Sequence, residues 1–241
     1  MALRGKIPRR GRSFSCEKKP TLLIAMIRHN AIAEMLKPLV RRTSLFPYLL
    51  FRRALKETTK WEEAGRPSPP PLAVKARVLL AYAEVYDLGV FVETGTHYGT
   101  TVEAVRRSFR KVYTIELSPA LWSRARKRFE SDSRVKVIHG DSGKEIGRLM
   151  PQVEQPALFW LDAHYSGGVT ARADKDTPIL DELCFILEAR DLRHVILIDD
   201  VHNFGVDRAY PTLEHLQKFI LSKRPSLQVL VRNNIIRIVP N

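Results

Sequence analysis

The chain predicts an α/β fold: a doubly wound, mostly parallel seven-stranded sheet with an antiparallel carboxyl-terminal hairpin and an amino-terminal helical extension. Three observations carry that prediction. From Val90 onward, short runs rich in valine and isoleucine alternate with helical patterns, as strands joined by crossover helices do. The first run, Val90-Phe91-Val92-Glu93, breaks into a glycine turn from Gly95 to Gly99 and then a polar helix start, the handover of a buried parallel strand to a helix facing a ligand. Near the end, Asn233-Asn234 stands between two strand-like runs, a tight-turn signal that makes the last pair a hairpin.

Element by element, residues 1–20 mix Arg, Lys, Gly, Pro and Ser and read as a basic flexible tail. Residues 21–64 carry apolar positions at spacings of three and four, Ile24, Ile27, Ile32, Met35 and Leu36 and then Leu45, Leu49, Leu50 and Leu55, with Pro38 and Pro47 as punctuation. The stretch from Gly65 through Pro69-Pro70-Pro71 is an extended linker, so residues 21–71 form a helical extension with its linker and residues 72–241 the main domain. A helix is expected over 72–87 with Gly89 as its stop. Strands follow at 90–94, 111–116, 135–139, 157–162, 194–199, 227–232 and 234–239, and helices at 99–109, 119–130, 143–149, 179–190 and 211–222.

The formal charge of +14 is unevenly spread: residues 1–60 hold 15 Lys/Arg against 3 Asp/Glu, and residues 61–241 hold 25 against 23. A basic arm of this kind suits nucleic acid, an anionic surface or an acidic partner. A solvated tail is the preferred reading, because its basic residues are not regularly interleaved with aromatic side chains on which bases would stack. Cys16 and Cys184 form neither a disulfide framework nor a metal-ligand spacing, so a reducing, cytoplasmic setting is expected. The longest apolar runs, such as Thr21 to Ile27, are too short for a transmembrane segment, and no secretory cleavage pattern follows the basic start.

What stands at the carboxyl ends of the strands decides the functional reading, because ligands of doubly wound sheets collect there. The first strand ends in Glu93, the second in Glu116, the third leads into Asp141 and Ser142, the fourth ends in Asp162 with His164 beyond it, and the fifth in Asp199-Asp200. A single acid is an ordinary helix cap. Five in order resemble the class I S-adenosylmethionine-dependent methyltransferases over residues 72–241. The resemblance implies that Glu93, Gly95, Thr96 and Gly99 hold the methionine part of the cofactor, that Glu116 takes the ribose hydroxyls, and that Asp141 with Ser142 lies beside the adenine. The family often has a glycine where this chain has His97, which makes the loop bulkier. The spacing Gly-x-x-x-Gly also differs from the Gly-x-Gly-x-x-Gly of dinucleotide sites, which argues against a dehydrogenase.

Asp162, Asp199 and Asp200 would converge at the ends of adjacent strands, and three carboxylates held together call for a hard divalent cation with oxygen ligands, magnesium foremost. This pattern resembles the metal-dependent O-methyltransferases, including those acting on antibiotic sugars. The resemblance implies a magnesium site at Asp162, Asp199 and Asp200 and a general base at His164, with Asp162 beside the reacting atoms. His202, just past the acidic pair, competes for either role. The glycine-rich stretch from Tyr165 to Pro178 is long enough to act as a lid, and Arg172 within it could meet an anionic substrate.

The expected activity is therefore magnesium-assisted methyl transfer from S-adenosylmethionine to a hydroxyl of a sugar or other small polar metabolite. A nucleic-acid methyltransferase gripping through residues 1–60, and a non-catalytic cofactor-binding scaffold, are the alternatives. Against the first, the fourth strand ends in Leu161-Asp162-Ala163-His164 rather than the Asn/Asp-Pro-Pro-aromatic run of base-amine enzymes. The helices of 21–64 could cover the site, pack on the sheet's flank or pair with a second copy of the chain; a homodimer through them is one expectation.

Overall fold

The computed structural model describes residues 45–162 and 177–241, with 45–51 as backbone only. The basic tail, the helical patterns before residue 45, His164 and the stretch containing Arg172 lie outside the described residues. The chain divides between Ala54 and Leu55, and Leu55–Asn241 is a compact unit. Helix α1 (Leu45–Glu63) runs across that boundary. It closes on Gly65, whose φ of 80° supplies the left-handed turn, with the Arg66 N–H reaching back to the Trp61 carbonyl at 2.9 Å. The proline-rich stretch that follows is tied to the helix: the buried Trp61 indole donates to the Pro67 carbonyl at 2.6 Å.

The compact unit then alternates α2 (Leu72–Val85), β1 (Val90–Thr94), α3 (Thr100–Val105), β2 (Lys111–Glu116), α4 (Pro119–Phe129), β3 (Val135–His139), α5 (Ser142–Leu149), β4 (Ala157–Leu161), α6 (Ile179–Glu188), β5 (Val195–Ile198), α7 (Leu213–Lys223), β6 (Leu227–Arg232) and β7 (Ile235–Pro240). Seven strands form one sheet in the order β3-β2-β1-β4-β5-β7-β6, parallel except for β7, which runs antiparallel to both β5 and β6. This is the doubly wound, mostly parallel sheet with a terminal hairpin that the sequence predicts. The strand order reverses between β1 and β4, which opens the crevice where such sheets bind ligands.

Strand alternation explains why both faces are apolar. Val90 and Val92 of β1, Phe159 and Leu161 of β4, and Ile196 and Ile198 of β5 pack into one core with α5, α6 and α7. Phe91, Leu158, Trp160, Val195 and Leu197 point the other way, into a second core with α2, α3 and α4. Neither layer could be removed without exposing the fully buried rings of Phe159 or Trp160.

Local chemistry fixes the boundaries. Ser118 caps α4 by accepting from the Leu121 N–H, with Pro119 in the first helical position. Asn233 and Asn234, with φ of 49° and 60°, form the two-residue turn between β6 and β7 that paired asparagines allow. Two expectations need correction. The stop of α2 is Asp87, not Gly89: Asp87 takes φ 50°, and the Leu88 N–H bonds the Ala83 carbonyl at 2.8 Å in a Schellman closure. Gly89 instead ties the next strand, its carbonyl accepting from the Arg110 N–H at 2.8 Å. The helix expected over 99–109 ends at Val105, and a 3-10 turn covers Arg106–Ser108. Among the described residues no helix is long and apolar enough to cross a membrane.

Candidate active site

Register places the acids together. Thr94 pairs with Ile115 and with Leu161, and Leu161 pairs with Ile198, so Glu116, Asp162 and Asp199 occupy one row just beyond that level. The ladder extends one step past the strands, with the Asp162 N–H donating to the Thr94 carbonyl at 3.3 Å and the Asp199 N–H to the Leu161 carbonyl at 3.1 Å. Glu93 lies two residues inside this row, level with Thr114 and Trp160.

The glycine turn is built around two carboxylates. Glu93 is buried at the end of β1 and accepts from the Thr114 hydroxyl at 2.6 Å. Thr114 in turn lies 2.6 Å from the Thr96 hydroxyl, so the hydrogens run Thr96 to Thr114 to Glu93. Glu116 spans two loops, accepting from the His97 N–H at 2.7 Å and the Ser118 N–H at 2.9 Å. Each oxygen of Glu116 keeps a lone pair beyond these bonds. His97, the expected departure from a glycine, adopts φ 49°, the left-handed backbone a glycine would take, while its exposed ring rests on Tyr98 at 4.1 Å. The loop is thus no bulkier on its inner side. Gly99, at φ 69°, is required twice: for that conformation, and because a Cβ would stand 2.8 Å from the Phe129 ring.

Asp141 caps α5, accepting from the Gly143 N–H at 3.0 Å, and lies 3.7 Å from the Lys144 ammonium. Ser142 is buried beside it. Sequence reasoning missed Glu182, which reads as an ordinary first-turn acid of α6. It is 1% exposed, lies near Ser142 and Thr94, and its Oε1 has no hydrogen-bond partner. Glu182, Asp162, Asp199, Thr177 and Tyr210 line one small cleft.

Asp162, Asp199 and Asp200 present carboxylate oxygens within 4.8 Å of one another. Asp199 is the most enclosed: one oxygen is paired with the Lys75 ammonium and the other is buried without a partner. Asp200 takes the left-handed conformation, φ 54° and ψ 46°, and is held by the Asn234 amide at 3.3 Å. His202 is exposed, its Nδ1 3.1 Å from Asn234 Oδ1 and 3.9 Å from Asp200. Burial, then the Asp199 charge, pushes the Asp162 carboxyl well above the ordinary carboxylate range while Lys75 pulls it down. Burial raises Asp199 as well, against Lys75. An all-oxygen donor set with an unpartnered buried oxygen fits a hard divalent cation.

Burial also pushes Glu93 up to about 8 and Glu182 up to about 7 from 4.5. A carboxyl with a raised pKa binds its proton more tightly when folded, so its stabilisation is fully present below the unfolded value and fades as pH climbs through the folded one. Unfolding by urea should therefore show the ligand-free protein weaker at pH 8 than at pH 6, by roughly 4 kcal/mol at most from these two groups. Glu93→Gln should flatten most of that slope. Stability that holds or rises between pH 6 and pH 8 would contradict the assignment.

No protein-family model matches the chain, and no curated protein matches it in sequence. Solved structures do match. The methyltransferase PaMTH1 of Podospora anserina, bound to S-adenosylhomocysteine, is 20% identical with a TM-score of 0.52, over 88% of this chain and 97% of that one. The O-methyltransferase TomG of Streptomyces achromogenes, which takes part in tomaymycin synthesis and was solved with S-adenosylmethionine, is 16% identical with a TM-score of 0.50, over 78% and 89%. An O-methyltransferase of Bacillus cereus, solved with S-adenosylhomocysteine, is also 16% identical with a TM-score of 0.50, over 87% and 97%. At these identities the likeness is one of fold alone, the fold that these methyltransferases share.

Proposed function

We propose that this chain transfers a methyl group from S-adenosylmethionine to a hydroxyl of a sugar or other small polar metabolite, with a magnesium ion at Asp162, Asp199 and Asp200. The observation that carries the reading is the meeting of those three carboxylates at the ends of neighbouring strands, on the row that also holds Glu116. The methyltransferase fold and the cofactor-bound enzymes that share it support the donor. In this reading the turn from Glu93 to Gly99 receives the methionine moiety, with Glu93 and the backbone of Gly95 and Thr96 facing its charged groups. Glu116 accepts from the ribose diol, and Asp141 and Ser142 border the adenine.

When bound, the donor supplies an electrophilic methyl sulfonium, and a divalent cation supplies Lewis acidity that makes an acceptor hydroxyl easier to deprotonate. The chain's own residues do the rest. Asp162, Asp199 and Asp200 would hold that cation at the mouth of the donor site, where it would orient the acceptor. His164, two residues beyond Asp162 in sequence, takes the hydroxyl proton as the oxygen–carbon bond forms and the carbon–sulfur bond breaks.

Calorimetric titration with S-adenosylhomocysteine, with and without magnesium, tests the reading. Saturable binding of the nucleoside and a separate magnesium heat are expected. Absence of any S-adenosylhomocysteine binding would end the methyltransferase proposal, and nucleoside binding with no magnesium heat would end its metal-assisted form.

A further inference from the structure

Among the described residues, Lys75 brings an ammonium to the acid cluster. It sits on α2, far in sequence from all three acids, and the side-chain alternation of β4 and β5 explains the meeting. Trp160 and Leu197 face the α2 side, and the next residues of the same parity, Asp162 and Asp199, continue toward it. Lys75 Nζ lies 5.9 Å from the centre of the Trp160 ring and is paired with Asp199 Oδ2. Its side chain is 17% exposed and that of Asp199 only 1%, so little water screens the pair.

The second oxygen of Asp199 is buried and has no hydrogen-bond partner, so a ligating position remains beside the one Lys75 takes. A divalent cation entering there would share Asp199 with the ammonium at close range. Repulsion between two cations on one carboxylate in a poorly screened pocket exceeds the return from a single orienting hydrogen bond.

We propose that Lys75 is a built-in counter-ion that holds Asp162, Asp199 and Asp200 together without a metal and competes with a divalent cation for Asp199. This deepens the metal reading above and rests on it. The lysine sets how tightly the site takes its cation: weak occupancy while Lys75 stays on Asp199, full occupancy once it swings off.

The test uses manganese ion as probe on the full chain, with free manganese followed by electron paramagnetic resonance and folding by thermal unfolding. Lys75→Met is expected to bind manganese at least about tenfold more tightly than the unaltered protein. Without metal it should melt lower, because the carboxylates lose their counter-ion, and saturating manganese should raise its melting temperature more than that of the unaltered protein. Lys75→Arg, which keeps the charge, should bind close to the unaltered value. Lys75→Gln, uncharged but still a donor, serves if the methionine variant does not fold. Equal or weaker binding by the uncharged variants would overturn the competition and leave the metal site standing. No manganese binding by any of the proteins would overturn both.

Discussion

Asp199→Ala is expected to lose divalent-cation binding altogether and to unfold about 2–4 kcal/mol more easily than the unaltered protein, somewhat less than the roughly 3–5 kcal/mol typical of removing one member of a buried ion pair. The reason is the environment Asp199 leaves behind. Its side chain is almost wholly enclosed, and the partner it abandons is the Lys75 ammonium, only 17% exposed. Asp162 and Asp200 lie close enough to take part of that charge, which keeps the loss below the cost of a wholly orphaned buried lysine. A double-mutant cycle gives the sharper form. If the cost is an unpaired ammonium, Asp199→Ala in a Lys75→Met background should cost far less than in the native one, with a coupling above about 1 kcal/mol. Urea unfolding of the four proteins measures it. Additive losses would mean that Asp199 acts through packing and that the pair contributes nothing of its own.

The sheet was legible because its signals are local. Each parallel strand is a short apolar run between turn residues, each crossover helix has its own period, and paired asparagines specify a hairpin. The acids at the strand ends were legible for the same reason, since the register of a parallel sheet carries consecutive strand ends to one edge. What stayed hidden depends on packing between elements distant in the chain. Nothing in the sequence around Lys75 points to the acids, and only the parity of Trp160 and Asp162 together with the docking of α2 turns it toward them. Glu182 carries the chemistry of a helix start, and nothing near it in sequence says that α6 will press it against Thr94 and Ser142.

His97 shows the converse, a residue whose type misled. The family comparison made it an obstacle in the glycine turn, yet the backbone reaches φ 49° all the same and points the ring outward. The bond from its N–H to Glu116 is one reason the conformation holds, because a left-handed non-glycine residue persists where its surroundings fix it. Asp87 taking the role expected of Gly89 makes the same point: short polar residues tolerate the left-handed region, so glycine positions alone do not mark every helix end.

Glu116→Ala should weaken S-adenosylhomocysteine binding by about two orders of magnitude or more, from the loss of two charge-assisted hydrogen bonds to a diol. A second effect works in the same direction. Glu116 is the clasp between the glycine turn and the start of α4, through the N–H groups of His97 and Ser118, so its removal also loosens the turn to which the proposed function assigns the methionine moiety. The two contributions separate with a 2′-deoxy analogue of the ligand. In the unaltered protein the analogue loses one ribose bond while the clasp remains; in Glu116→Ala it should bind no worse than the ribose form, because the acceptor it would have missed is already gone. Glu116→Gln, which keeps an acceptor oxygen but offers its amide to two N–H groups, should fall between native and alanine. Calorimetry on the three proteins with both ligands decides the matter. If Glu116→Ala retains native affinity for S-adenosylhomocysteine, the second acid of the row does not hold the ribose, and the assignment of the nucleoside to this edge of the sheet falls with it.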